Sequence, residues 1–206
     1  SKRKSKEKQM IFATENIFNN EETNKVFLER VEEIVQAAKD RGEELIDGQV
    51  WDAQNMVQGD GVIKDEKRRS KILWIRDKAI RYEVCDFVLN WNAENLHFDL
   101  FPFSCEIQYA EYHAADKGHF DWHWDQDPWQ NHLRKYRKYS ATMQLSNQGE
   151  DYEGGNLEFR DVNLDTRYKK KGSFVLFPSP VPHRVTPVTS GVRKSLVFWF
   201  HGPQFK

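Results

Sequence analysis

Leu96 divides the chain into two kinds of sequence, and the part beyond it narrows the available folds most. From there on, short runs rich in aromatic and β-branched residues alternate with turn signals at Gly154-Gly155, Gly172 and Ser190-Gly191. The pattern predicts many short strands closing into a β-sandwich or barrel, one of them running from Asn156 to Phe159 behind a tight Gly154-Gly155 turn. Upstream the periodicity is helical. Val26, Phe27, Val31, Ile34, Val35 and Ala38 recur at helical spacing between Asn20 and about Asp40, and Gly42 follows as a stop signal. Ile80, Val84, Phe87, Val88 and Trp91 predict a second helix that ends near Asn92 and Asn95. Both helices are expected to buttress the sheet, with Gln49 to Val57 and Arg69 to Ile75 as flanking strands. The fold class is therefore mainly β with flanking helices, in a single domain over residues 11–206. Helical support occupies about 11–95 and the β core about 96–206. Residues 1–10 are too polar to pack and are expected as a mobile tail.

Bulk properties exclude more than they assign. A chain of 206 residues suits one domain with a sizeable core. Its formal net charge of −1 gives no overall field that would favour nucleic acid or an acidic membrane. The clusters Lys67-Arg68-Arg69 and Lys169-Lys170-Lys171 read as solvated loops. Cys85 and Cys105 fit no zinc spacing, which predicts free thiols and a reducing, cytoplasmic setting. Apolar runs such as Phe174-Val-Leu-Phe177 are too short to span a membrane, and no hydrophobic segment follows the charged N-terminus. Neither secretion nor membrane insertion is expected.

The chemistry is concentrated in Gly118-His-Phe-Asp-Trp-His-Trp-Asp125, followed 58 residues later by His183 and ten further on by Arg193. Two imidazoles and one carboxylate on one face of a metal leave positions open, which suits iron(II) that must also bind a co-substrate and oxygen. In a strand, residues i and i+2 share a face, so a His-x-Asp triplet presents both side chains to one metal. There are two such triplets, His119-Phe-Asp121 and His123-Trp-Asp125. Four residues apart in extended chain, both can face the same side, and spacing does not choose between them.

Three segments carry a resemblance: Asp151-Tyr-Glu-Gly-Gly-Asn-Leu157, Lys171-Gly-Ser-Phe-Val-Leu-Phe-Pro178 and His183-Arg-Val-Thr-Pro-Val-Thr-Ser-Gly-Val-Arg193. Together, over roughly residues 105–200, the chain resembles the prolyl 4-hydroxylase-like branch of the 2-oxoglutarate/Fe(II)-dependent dioxygenases, close to the PKHD-type hydroxylases. The resemblance implies a double-stranded β-helix of jelly-roll, cupin-like form with an N-terminal helical layer. In that branch an aromatic residue sits three before the first metal histidine and a glycine a few residues earlier, as Phe120 and Gly118 do for His123. It thus implies His123, Asp125 and His183 as ligands and leaves His119 and Asp121 as hydrogen-bonded neighbours. Arg193 is implied to clamp the distal carboxylate of 2-oxoglutarate, a task suited to a planar guanidinium with two charge-assisted hydrogen bonds. Tyr112, with Tyr109 as fallback, is implied to donate to the same co-substrate. Gln144 stands where many relatives place another co-substrate-binding tyrosine or a hydrophobic residue. Arg137 and Trp199 match positions that contact the peptide in some prolyl hydroxylases, although plain core packing also accounts for Trp199. Trp122, Trp124 and Trp129 read as aromatic packing at a barrel mouth.

The resemblance implies a hydroxylase with iron(II), 2-oxoglutarate and O2, with ascorbate as a further candidate, that releases succinate and CO2. Its substrate would be a protein or peptide, with a proline as the leading target and no membrane partner. The segment Asp127-Pro-Trp-Gln-Asn-His132 with Arg134-Lys-Tyr-Arg137 mixes aromatic and basic groups, which suits a peptide carrying acidic residues. Alternatives are hydroxylation of a free amino acid or other small molecule, nucleobase repair, a hydrolytic zinc enzyme, and a non-catalytic iron- or 2-oxoglutarate-binding barrel. Balanced charge weakens the nucleobase reading, Arg193 argues against the zinc hydrolase, and an intact ligand set argues against the silent barrel.

Overall fold

A computed structural model describes residues 10–18, 20–48, 50–51, 62–63, 66–126, 135–160, 162, 164 and 166–204. The expected tail, the span 127–134 with Trp129, and all but Val50 and Trp51 of the Gln49 to Val57 strand therefore lie outside the described residues.

Both helices form where capping chemistry and periodicity agree. Helix α1 spans Glu21–Asp40, and its N-cap Asn20 accepts through Oδ1 from the Thr23 N–H at 2.7 Å. Glu21 and Glu22 in the first turn and Lys39 in the last complement the helix dipole. Phe27, Leu28, Val31, Val35 and Ala38 are buried, whereas Val26 is 50% exposed. The apolar stripe is thus rotated slightly from the expected one, with Leu28 taking the place given to Val26. Helix α2 spans Lys78–Glu94, capped by Asp77, and buries Ile80, Val84, Cys85, Val88 and Asn92. The Asn92 side chain accepts from the Phe98 N–H at 2.9 Å and the Tyr139 hydroxyl at 2.7 Å, and donates to the Phe98 carbonyl at 2.9 Å. That one amide ties the helix end to both a loop and the sheet.

Short strands precede and separate the helices: β1 Phe12–Thr14, β2 Ile46–Asp47, β3 Val50–Trp51, β4 Val62–Ile63, β5 Arg68–Arg69 and β6 Lys71–Trp74. Beyond α2 come β7 Cys105–His113, β8 His119–His123, β9 Tyr136–Gln144, β10 Tyr152–Gly154 and β11 Leu157–Phe159. The chain closes with β12 Phe174–Pro178, β13 His183–Val185 and β14 Val188–Gly202. The large sheet runs β1-β12-β9-β14-β7-β6-β2, with β10 also on β14, and the small sheet runs β11-β13-β8-β5. All of these pairings are antiparallel.

Alternation along the large sheet builds two cores. Ile107, Tyr109, Ala141, Met143, Leu196 and Phe198 face α1 and α2 in one cluster. Ala110, Tyr112, Val175 and Phe177 meet Leu157, Phe159 and Val185 of the small sheet in another. The result is the expected double-stranded β-helix with helices against the outer face of its large sheet, so the space between the sheets is left for a site. No helix among the described residues is long and apolar enough to cross a membrane.

The Asn92 tie yields a stability prediction. Replacing Asn92 with Leu strands a buried N–H and a hydroxyl, and is expected to cost on the order of 2–3 kcal/mol. Urea denaturation checks this against the exposed Asn90→Ala, expected within about 0.5 kcal/mol of wild type.

Candidate metal centre

Two strands of the small sheet place the histidines. In the β8–β13 ladder His183 faces His123 and Val185 faces Phe120, so between these pairs Asp121 and Trp122 of β8 oppose Arg184 alone of β13. The extra residue is a bulge, and it resets the alternation of β8. Phe120 and His123 therefore point inward together, their rings stacked with centroids 3.4 Å apart. His119 and Asp121 are left outside. His119 sets its two ring nitrogens 2.9 and 3.1 Å from the carbonyls of Lys117 and Glu66, and exposed Asp121 accepts from the Trp122 N–H at 2.7 Å. The expectation that regular spacing lets both triplets share a face thus fails, because the strand is not regular there.

Asp125 follows the end of β8, held by its own N–H donating to the Ser179 carbonyl at 2.9 Å. Its two oxygens lie 3.6 Å from His123 Nε2 and 3.5 Å from His183 Nε2. The three ligand atoms are all within 4.8 Å of one another. These separations are long for hydrogen bonds and suit one cation held at about 2 Å from each ligand. Each histidine offers Nε2 because Nδ1 is engaged, with the Asp121 carbonyl at 2.7 Å for His123 and the Val181 carbonyl at 2.9 Å for His183.

Electrostatics keep these groups in ligating form. Burial, and then the neighbouring His183, push His123 down to about 3. Burial alone would raise the Asp125 carboxyl, but the neighbouring His183, His123, Arg137 and Ser140 outweigh it and hold Asp125 at about 2. At neutral pH the first imidazole is therefore neutral and the carboxylate charged, as metal coordination requires.

The triad opens into a pocket between the sheets that also reaches Tyr112, Arg193, Ser195 and Trp199. Arg193 of β14 is 1% exposed. Its Nη1 donates to Ser195 Oγ at 3.3 Å, its guanidinium lies 5.3 Å from the centre of the Tyr112 ring, and its Nε is buried without a partner. Among the described residues no carboxylate pairs with it. Gly155, at φ +57, makes room for the arginine stem, since a Cβ there would lie 2.9 Å from Arg193 Cδ. The Gly154-Gly155 pair thus does more than turn the chain. Tyr112 faces the pocket, while Tyr109 faces the helices and donates to Glu111 Oε1 at 2.7 Å, which removes the fallback. Gln144, opposite Ser195 in the ladder, is 1% exposed with neither amide atom bonded.

Of the remaining expected residues, Trp199 lines the pocket and Arg137 packs on it. Arg137 of β9 lies over Trp199 at 4.2 Å, and its Nη2 donates to Glu106 Oε2 at 3.0 Å. Glu106 is held at about 2, first by its neighbour His201, 3.6 Å away, and then by Arg137. Trp199 lines the pocket with its indole N–H unpaired, so it does more than fill the core. Half-exposed Trp74 packs on it at 5.9 Å. Trp122 instead meets Arg184 and Arg160 at 4.8 and 5.5 Å, and Trp124 is 63% exposed, so neither lines the pocket.

Sequence reasoning missed Arg68. Grouped with its basic neighbours as a solvated loop, it is in fact 7% exposed and lines the pocket. Its Nε donates to Ser70 Oγ at 2.8 Å and Nη2 to Gln108 Oε1 at 2.7 Å, and it lies 4.7 Å over the Phe120 ring. The alternation of Arg68, Ser70 and Ile72 was the available signal.

With this geometry in view, residues 107–201 match the family described as the 2OG-Fe(II) oxygenase superfamily. A PKHD-type hydroxylase of Pseudomonas fluorescens strain Pf-5 is 40% identical over 86 residues, which is 40% of this chain and 38% of that protein. The chain thus matches about two-fifths of the length of this curated relative. Over nearly the whole chain, the fold is similar to the crystal structure of a Pseudomonas putida prolyl-4-hydroxylase, with TM-score 0.66, 21% identity, and coverage of 95% and 94% of the two chains. A Trichoplax adhaerens prolyl hydroxylase in complex with a hypoxia inducible factor peptide fragment aligns with TM-score 0.59, 17% identity, and coverage of 94% and 84%. Iron(II) and 2-oxoglutarate are the groups that this family and the triad imply.

The bulge makes the ligand assignment testable. Anaerobic titration of the purified protein with iron(II) should reveal a single tight site that Asp125→Ala abolishes and Asp121→Ala leaves intact. The opposite pattern would move the site to the first triplet.

Proposed function

We propose that this chain, whose residues 107–201 match the 2OG-Fe(II) oxygenase superfamily, is a 2-oxoglutarate- and iron(II)-dependent hydroxylase with a peptidyl proline as its leading substrate. One observation carries the reading: a two-histidine, one-carboxylate cluster shares its pocket with the buried guanidinium of Arg193, which no carboxylate pairs among the described residues. A buried cation is costly without a counter-charge, and the far carboxylate of 2-oxoglutarate supplies one.

His123, Asp125 and His183 would hold the metal, and their donor set fits iron(II) with positions to spare. Iron(II), when bound, supplies the redox chemistry that couples decarboxylation of 2-oxoglutarate to succinate and CO2 with hydroxylation of a C–H bond by O2. The protein's part is binding and orientation. Arg193 and Ser195 receive the distal carboxylate, and the Tyr112 ring supports the guanidinium. The sheets and the Phe120 ring over His123 keep water from the reacting side. At the pocket's other end Arg137 and Trp199 position the target residue, the indole face offering an apolar wall to a proline ring. The peptide carried by the Trichoplax protein on the same fold supports a peptide substrate.

Two outcomes follow. Arg193→Ala should weaken the response to 2-oxoglutarate by orders of magnitude, since removing one member of a buried charge pair costs on the order of 3–5 kcal/mol. Succinate release as a function of 2-oxoglutarate concentration checks it, and an unchanged response removes Arg193 from the site. Arg137→Ala should lower hydroxylation of a proline peptide about tenfold or more, an effect of roughly 1.4 kcal/mol at least, while substrate-independent succinate formation falls much less. Equal loss of both, or hydroxylation of a free small molecule with none of any peptide, overturns the prolyl assignment.

A further inference from the structure

Arg193 is not the only buried guanidinium in the pocket. Arg68 enters from the small sheet, 7% exposed, and its two bonded nitrogens meet neutral partners, Ser70 and Gln108. Among the described residues no carboxylate pairs with it. Its position is built rather than incidental. Gly48 lies against the arginine, where a Cβ would collide with Arg68 Nε and the Ser70 hydroxyl. The Phe120 ring lies between Arg68 and His123, 4.7 Å from the guanidinium and stacked on the imidazole. The charge is therefore one ring away from the metal ligands.

On the reading proposed above, 2-oxoglutarate leaves Arg68 without a partner. One of its two carboxylates belongs to the metal and the other to Arg193. A second desolvated cation in the same pocket calls for a second anion, and the substrate is the remaining component that can bring it. We infer that the substrate presents a carboxylate beside its reacting carbon and that Arg68 receives it. The residue is then a specificity determinant: it selects an acidic peptide at the target position over a neutral one. The same chemistry is offered by the α-carboxylate of a free amino acid, so the test separates the two sources.

Protein loaded anaerobically with iron(II) and 2-oxoglutarate is titrated with two pairs of probes, and binding is read from the fluorescence of tryptophan, Trp199 being in the same pocket. One pair is a short peptide with Asp next to proline and its Asn counterpart; the other is L-proline and L-prolinamide. The acid is expected to bind about tenfold or more tightly than the amide in at least one pair, and that pair identifies the source. Arg68→Met should bring the ratio to about one. If that variant does not fold, Arg68→Gln is read the same way. Equal binding within both pairs, including no binding of any probe, overturns the inference, as does a preference that survives in a folded variant. Uncoupled succinate formation in air, measured on the same wild-type protein, reports the underlying activity separately. Its absence defeats the hydroxylase reading, whereas its presence with equal binding defeats only the role of Arg68.

Discussion

The cross-strand pair His123 and His183 is the constraint on which the site depends. Two histidines from segments far apart in sequence become neighbours only because β8 and β13 are hydrogen-bonded in one register. A slip of one residue would turn every side chain of β8 to the opposite face. The bulge refines that register, giving the inward face to Phe120 and His123 and sending His119 and Asp121 out. Phe159 and Phe177 close around His183 at 6.0 and 4.6 Å, so packing and coordination geometry fix the same ring.

Buried charge is handled differently on the two faces of the large sheet. Toward the helices, the Glu111 carboxylate accepts from the Tyr109 hydroxyl at 2.7 Å, Lys39 Nζ at 3.0 Å and meets His113 Nε2 at 2.9 Å. Burial would raise that carboxyl, yet these partners keep it below its usual range. Toward the small sheet, Arg68 and Arg193 have, among the described residues, only hydroxyl, amide and aromatic partners. A chain that satisfies one buried ion with three donors does not lack the means to satisfy others. The asymmetry therefore points to ligands of opposite sign as the missing partners.

Local signals were read well from sequence. Asn20 and Gly42 bound α1, and Asn92 and Asn95 the end of α2, by chemistry confined to a few neighbouring residues, and the two helices lie accordingly. The choice of His123 and Asp125 over His119 and Asp121 came through family resemblance, with Phe120 and Gly118 as landmarks. Spacing alone was misleading, because a bulge is a property of two strands and leaves little trace in either one. Arg68 was misread for a similar reason. Flanked by Lys67 and Arg69, it looks like one member of a solvated cluster, and only the pairing of β5 with β8 turns it inward. Tyr109 and Tyr112 were ambiguous until the parity of β7 was known. In each case the missing information was tertiary register.

Strand β14 carries Arg193, Ser195, Val197 and Trp199 on one face, all lining the pocket. Six residues of extended chain separate the first from the last, about 20 Å at the usual strand rise. The strand is hydrogen-bonded on both sides, to β7 and β9, so it behaves as a ruler with little freedom to stretch. The distance from the arginine end of the pocket to its tryptophan end is thereby set by the backbone rather than by any loop. Lengthening by one residue would send either the arginine or the tryptophan to the helix side. Changes in the reach of this pocket can come only in steps of two residues, or by altering the side chains that mark its ends.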